Sequence, residues 1–359
     1  MANSLEEHQS VSHRQAVQSG STAPQRITMA HGAGGRSTHR LIESVFLPAF
    51  SNPALDALAD GAIVGVAGQK LAFTTDSFVV SPIFFPGGCL GDLAVNGTLN
   101  DLAACGASPL ALSAAFIVEE GFPVEDLRLI VEAMSRCAGA AGTSVVTGDT
   151  KVVRKGQGDG CYVNCSGIGL VSDHAAGLGA ANARPGDRIL VSGPIGDHGA
   201  AIMVARGDLG IEADIVSDTT ALSGLVATLL GAAGDAVHVL RDPTRGGVAT
   251  VLNEVASSSG TGAVVRGADV PVRPEVAGVC ELLGLDPLYV ACEGRMIAVV
   301  APERADAALA AMRSHPAGIA SVEIGTVEDG PSGRVTELTA FGGKRVLDML
   351  VGDPLPRIC

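Results

Sequence analysis

The chain has 359 residues, 47% of them hydrophobic and only 3% aromatic, with a formal net charge of −14. That length exceeds one ordinary domain, so two are expected, and the acidic balance excludes a basic face for a nucleic-acid backbone. No stretch of eighteen residues is free of polar or helix-breaking groups, which argues against a membrane span, and a phosphate ligand would need a divalent cation or helix N-termini to bind against so negative a field.

Residues 1–25 are polar and poor in large apolar groups, so they are expected to be a disordered extension. Glu6, Glu7 and His8 stand where a secretory signal would need an apolar segment. The eight cysteines are scattered, which suggests a cytoplasmic protein with reduced thiols. Cys161 and Cys165 fall on one face of a strand-like run and read as a buried thiol pair rather than metal ligands.

The body opens with M-A-H-G-A-G-G-R-S at residues 29–37. Gly32, Gly34 and Gly35 let a backbone wrap closely around an anion, and the loop feeds a helix-like run over 38–46. It fits neither the P-loop nor the dinucleotide fingerprint. Residues 71–80 are β-branched and aromatic, hence a strand with Asp76 inside it. Residues 91–105 predict a helix on which Asp92, Asn96 and Asn100 share a face, with Asp101 beside them. The small apolar neighbours of that stripe suggest a polar face turned into a site. A second helix is predicted over 123–140, with proline at its start and acids in its first turn. A short strand at 144–147 then runs into G-D-T-K, which places Asp149 and Lys151 just past a buried strand. A glycine- and charge-rich loop follows over 154–160.

Residues 175–185 have the small-residue composition of a linker. Beyond it, a strand is predicted at 188–192, helices near Ala200 and Thr220, and a helix at 248–257 opened by R-D-P-T-R-G-G. Those two arginines and the double glycine suit an anion or a docked loop. Strands are predicted at 288–291 and 295–300, with Glu293 between them, then a helix at 305–314 and a strand at 322–327. Domains are therefore drawn at 26–174, 182–330 and a C-terminal segment 331–359.

The last residue is a cysteine. Chain ends are poor places for packing, but the eleven residues ending at Cys359 could span roughly 36 Å if extended at about 3.3 Å each. Pro354 and Pro356 would stiffen such an arm. Carboxylates at strand and helix ends (Asp76, Asp101, Asp149), a glycine loop, a lysine beside an acid and a terminal thiol together suit nucleoside triphosphate chemistry, in which Mg²⁺ neutralises phosphate charge.

Nine stretches then carry a family resemblance: A-H-G-A-G-G-R, T-T-D-S-F-V-V-S-P-I-F-F-P-G-G, N-D-L-A-A-C-G-A, F-I-V-E-E-G-F-P, V-T-G-D-T-K-V-V, G-D-H-G-A, R-D-P-T-R-G-G-V-A-T-V-L-N-E-V-A, A-F-G-G-K-R and P-R-I-C. With the E-G pair at Glu293, they extend from Ile27 to Cys359 and resemble the HypE family of hydrogenase maturation proteins. Only the N-terminal extension and Cys89 depart from the pattern. The resemblance implies the two-domain α/β fold of aminoimidazole ribonucleotide and selenophosphate synthetases, with the N-terminal sheets of a homodimer paired and ATP bound nearby. It implies that a HypF-type carbamoyltransferase loads Cys359, and that ATP then drives dehydration of the thiocarbamate to a thiocyanate. The cyano group would pass to iron on a HypC–HypD complex. On this view Asp76, Asp101 and Asp149 hold Mg²⁺, and Gly32, Gly34, Gly35 and Asn100 join them around the nucleotide. Glu293 is the base, Lys151 its partner or a phosphate clamp, and the Cys359 pKa is expected to be unshifted because Arg357 and the terminal carboxylate oppose one another. A small-molecule kinase of the same superfamily and a non-catalytic metal carrier are the alternatives.

Overall fold

The computed structural model describes residues 26–207, 210–339, 341–352 and 357–359. The extension over 1–25 and the prolines at 354 and 356 lie outside them.

The N-terminal unit begins with helices α1 (Arg36–Leu41) and α2 (Leu47–Phe50), joined by a π-helical turn. Then come strands β1 (Ala62–Val66) and β2 (Gln69–Phe78), a two-stranded hairpin of β3 (Phe84–Phe85) and β4 (Gly88–Cys89), and helix α3 (Leu90–Ala104). Strand β5 (Ala107–Glu119), helix α4 (Val124–Ala140) and strands β6 (Val145–Val153) and β7 (Cys161–Val171) complete it. The sheet order is β1-β2-β7-β5-β6, antiparallel except for the parallel β5–β6 pair. Alternation along β7 buries Cys161, Val163 and Cys165 on the face that α3 and α4 cover, so both cysteines are core thiols as expected. Helix α3 can run through this core because it carries small and apolar side chains nearly all round. The other face of the sheet is left open and carries exposed Phe73, Ile117, Ile168 and Leu170.

The C-terminal unit holds β8 (Arg188–Val191), α5 (Asp197–Ala205), α6 (Ser223–Ala233), β9 (Val237–Arg241), α7 (Gly247–Ser259), β10 (Gly262–Arg266), α8 (Pro274–Leu283), β11 (Ile297–Val300), α9 (Ala305–Ser314), β12 (Val322–Glu328), β13 (Arg334–Leu338) and β14 (Lys344–Leu347). Its sheet runs β14-β13-β10-β12-β8-β11-β9. Ile189 and Val191 of β8 face the core under α7, while Leu190 faces α6 and α9, so helices cover both sides.

Two expectations are corrected here. The sheet does not stop at residue 330: β13 pairs with β10 and β14 with β13, so residues up to Leu347 belong to the C-terminal unit. The strand expected at 288–291 is instead a 3₁₀ turn, Pro287–Tyr289. The Asp286 carboxylate caps it by accepting the Leu288 N–H at 3.0 Å, which wins over the local β-propensity.

Candidate functional site

A cluster of acids forms where the loop before β1, the C-terminal half of α3 and the segment after β9 converge, next to the end of β2. Asp60, Asp101 and Asp242 each bring a carboxylate oxygen within 4.8 Å of the others. Arg241 binds Asp60 at 2.8 Å and also pairs with Glu254, so it compensates only part of this charge. Burial first, then the neighbouring carboxylates of Asp242, Asp60 and Asp76, hold the Asp101 carboxyl well above the usual range. Burial and the Asp60 charge push Asp242 up to about 7. Asp76 is also raised by burial, against the pull of Arg245, whose guanidinium lies 3.9 Å away. Clustered oxygen donors whose charges resist one another fit a hard divalent cation such as Mg²⁺.

Beside this cluster lies the chain's own C-terminus. Ile358 is buried in the core of the N-terminal unit, and Cys359 packs against the same core. The Cys359 thiol feels the charges of Glu293 and Arg245, and it lines one cavity with Arg245. A cavity of about 130 Å³ is lined there by Gly32, Ala33, Ser77, Arg245, Ala291 and Cys359. The expectation of an unshifted Cys359 thiol is overturned. Burial pushes its pKa far up, Arg245 opposes that, and Glu293 and Asp76 reinforce it. Arg357, the cation expected to act on the sulfur, instead ion-pairs with Asp159 and donates to the Val79 carbonyl.

Glu293 is buried, and its backbone N–H donates to Asp218 Oδ1 at 3.0 Å. Burial, then the charges of Asp242, Asp76 and Asp218, raise its carboxyl well above the usual range. Among the described residues, its Oε1 is buried without a hydrogen-bond partner. That is an acceptor aimed into a site rather than part of a satisfied structural pair.

The glycine loop is docked, not open. Gly34 has φ +75°, and a Cβ there would lie 2.8 Å from the Arg245 Cβ. At Gly35 a Cβ would come within 2.2 Å of the Leu350 carbonyl oxygen. Arg245 also donates to the Gly32 carbonyl at 3.4 Å. Gly34 lines a larger cavity of about 540 Å³ together with Arg36, Thr38, His39 and Arg40.

The structure does not gather every predicted residue. The pairings Asp76–Cys165, Cys165–Ala114 and Ala114–Gly148 put these four on one face of the sheet. Asp149, one residue on, therefore points to the open face and away from Asp76 and Asp101. It is exposed there and ion-pairs with Lys151 at 2.7 Å. Lys151 shares that face, so within one chain it is not the partner of Glu293. Asn100 is corrected as well. Its Nδ2 donates to the carbonyls of Thr220 (3.0 Å) and Glu293 (3.1 Å), and its Oδ1 accepts from the Leu222 N–H at 2.8 Å. Fully buried, with both Nδ2 protons and one lone pair of Oδ1 engaged, it bolts α3 to the C-terminal unit and has no free N–H for a nucleotide. Sequence reading missed Asp60 and Asp242, and gave Arg245 only as one of two arginines suited to an anion or a docked loop. Asp242 and Arg245 sit in R-D-P-T-R-G-G, where the arginines drew attention and the aspartate did not.

Family models agree with this architecture. Residues 58–171 match the N-terminal domain of AIR synthase related proteins, and residues 184–337 match the C-terminal domain. The carbamoyl dehydratase HypE of Rhizobium leguminosarum bv. viciae is 51% identical over 334 residues, covering 93% of this chain and 95% of its own. HypE of Escherichia coli K12 is 46% identical over 338 residues, with coverage of 93% and 99%. Among solved structures, HypE in a HypE–HypF complex aligns with a TM-score of 0.81 at 47% identity, covering 86% of this chain and 99% of that one. HypE in complex with ATP aligns at 0.78 and 46% identity, covering 92% and 99%. Thiamine monophosphate kinase from Aquifex aeolicus aligns at 0.63 with 18% identity, covering 86% and 99%, a likeness of fold alone.

Proposed function

The chain belongs to the HypE family of carbamoyl dehydratases, and on that premise we propose how its own residues carry out the reaction. It is an enzyme that uses ATP to dehydrate a carbamoyl group on its C-terminal cysteine to a thiocyanate, the source of the cyanide ligand of NiFe hydrogenase. The observation that carries our residue assignments is the burial of the chain end in the core, with Cys359 and Arg245 lining one cavity and Arg245 reaching Asp76.

Once loaded, the group S–C(=O)–NH₂ has an oxygen that is a poor leaving group. Attack of that oxygen on the γ-phosphate of ATP releases ADP and makes it a good one. Loss of two N–H protons and departure of phosphate then leave S–C≡N. Glu293 Oε1, with no other partner, is our acceptor for the first proton. Burial, then the charges of Asp242 and Asp76, raise its pKa, so compensating those charges favours its action as a base. Asp60, Asp76, Asp101 and Asp242 would hold Mg²⁺, which when bound supplies charge neutralisation for the triphosphate. Arg245 steadies negative charge at the sulfur and the developing phosphate ester. The docked glycine loop and the buried tail keep out water, which would waste the loaded group.

Asp149 and Lys151 lie on the open sheet face with Phe73, Ile117, Ile168 and Leu170. A second copy pairing through that apolar face would cover them, so we assign this face to a homodimer and let Asp149 and Lys151 serve a cleft completed by the partner. By analogy with the relative's complex with HypF, a HypF-type carbamoyltransferase loads Cys359, and a HypC–HypD complex takes the cyano group. Scattered unpaired thiols fit a cytoplasmic setting. A small-molecule kinase would keep this cleft for its substrate, whereas here the chain's own tail lines it. A metal-carrying thiol would not be set facing an arginine.

Intact mass after incubation with the carbamoyltransferase, carbamoyl phosphate and ATP tests the scheme. The protein gains one carbamoyl group and then loses one water. Cys359→Ala gives neither change, and Glu293→Gln gives the first without the second. Water loss in Glu293→Gln at the parent rate would remove Glu293 from its role.

A further inference from the structure

The last three residues are held by groups that no step of the chemistry uses. Val79 N–H donates to the Cys359 terminal oxygen at 3.1 Å, and Ser81 N–H donates to the Arg357 carbonyl at 3.1 Å. Arg206 bridges the two segments, from Nε to the Ser81 carbonyl (2.8 Å) and from Nη2 to the Arg357 carbonyl (2.9 Å). The remaining carbonyl, that of Ile358, lies 2.8 Å from His198 Nε2. His198 is fully buried on α5, with Phe85 edge-on to its ring at a centroid distance of 5.6 Å.

Its bonds admit one arrangement of hydrogens. A carbonyl only accepts, so Nε2 carries the proton. Burial lowers the ring's pKa, which keeps it neutral, so Nδ1 is an acceptor. Ser217 Oγ lies 2.7 Å from Nδ1 and itself accepts the Thr219 N–H at 3.1 Å, leaving its hydroxyl proton to point at the ring. A relay runs from Thr219 through Ser217 to His198 and ends on the backbone one residue before the reacting sulfur. A buried polar side chain spent on the tail backbone is costly if that backbone is elsewhere, since its N–H is then left without a partner.

We propose that His198, its tautomer fixed by Ser217, is a positioning residue that clamps the Ile358 carbonyl and so sets the Cys359 sulfur against Glu293. The clamp reads backbone only, so it holds the tail whether or not the sulfur is loaded. Its bearing on turnover rests on the reading of Cys359 as the carrier given above.

Iodoacetamide labelling of the full-length protein, read on the mass of the C-terminal peptide, tests the clamp without reference to turnover. Loss of one buried hydrogen bond in His198→Ala raises the rate at Cys359 by about two- to tenfold. His198→Gln, whose amide can donate to the same carbonyl, returns it toward the parent rate, and Ser217→Ala gives a smaller rise. In parallel, ATP-dependent water loss from the carbamoylated protein slows in His198→Ala and recovers in His198→Gln, while loading by the carbamoyltransferase does not slow. Equal labelling of parent and His198→Ala, or a His198→Gln protein no better than His198→Ala, overturns the proposal. Should His198→Ala show no cooperative melt, Ser217→Ala decides: faster labelling supports the clamp and parent-rate labelling rejects it. A parent protein that never acquires the carbamoyl mass defeats the carrier reading alone, because the labelling still reports on the clamp.

Discussion

Replacing Asp242 by asparagine removes one charge from the acid cluster at nearly constant shape. The Asp242 carboxyl is 7% exposed. Burial and the Asp60 charge lift it from 3.8 to about 7. A carboxyl with a folded pKa above its unfolded value binds more protons in the native state across that interval. Its stabilising contribution is therefore complete below about pH 4 and is lost as pH rises through 7. Roughly three pKa units at about 1.36 kcal/mol each give a loss of about 4 kcal/mol in cation-free protein between pH 4 and pH 8. At about 2–4 °C per kcal/mol for a domain of 150–250 residues, the melting midpoint falls by the order of 10 °C. Mg²⁺ at about 100 times its Kd returns about 2.7 kcal/mol at pH 8, and less at pH 5, below the raised Asp242 value. Differential scanning fluorimetry in chelator and in Mg²⁺, at several pH values, reads this directly. Asp242→Asn should flatten the pH dependence and blunt the Mg²⁺ response. An Asp242→Asn protein with the parent's pH slope and the parent's Mg²⁺ shift would refute the reasoning that these acids form one cation site.

Asn100→Ala strands three backbone groups at the domain seam and costs about 3 kcal/mol. Calorimetry should show the lower midpoint, while ATP affinity of the folded protein, measured by titration, stays at the parent value; a large loss of affinity would return Asn100 to the nucleotide. The seated Cys359 thiol has a raised pKa, so the stability of the seated tail is complete below the ordinary thiol value of 9.0 and is lost as pH rises above it. Alkylation of Cys359 should go on rising about tenfold per pH unit beyond 9, where a free C-terminal peptide levels off as its thiol finishes ionising. Matching curves would mean that the tail is not seated in solution. Phe73→Glu puts a charge on the open sheet face, and light scattering should report a monomer where the parent is a dimer; an unchanged mass places the homodimer contact elsewhere.

The periodicities in the sequence carried a large part of the fold. α9 was predicted at 305–314, where it is observed, and α3 was one residue off. The shared face of Asp92, Asn96 and Asn100 was legible from the four-residue spacing. What meets that face was not, because Thr219 and Thr220 approach it from more than a hundred residues away. Asp76 and Asp101 could be picked out as carboxylates in uncomfortable places. Asp149 looked equivalent, yet its side of the sheet depends on register across three strand pairings, which no local pattern encodes. Asp60 stands in a loop with no periodicity to mark it. The Cys359 environment was misjudged because its neighbour in sequence, Arg357, points away, and its neighbour in space, Arg245, arrives from the other unit.

Residues 357–359 lie against 79–81 of their own chain, so the reacting group comes to the cleft on a leash. Encounter between loaded sulfur and catalytic groups is a first-order event, with an effective concentration set by tail length rather than by how much protein is present. Dilution should leave the dehydration step untouched so long as the assembly that completes the cleft survives, and no Michaelis constant for the carbamoyl group can be defined. The same leash limits output, since each polypeptide handles a single cyanide precursor per excursion and must surrender it before the next can be loaded.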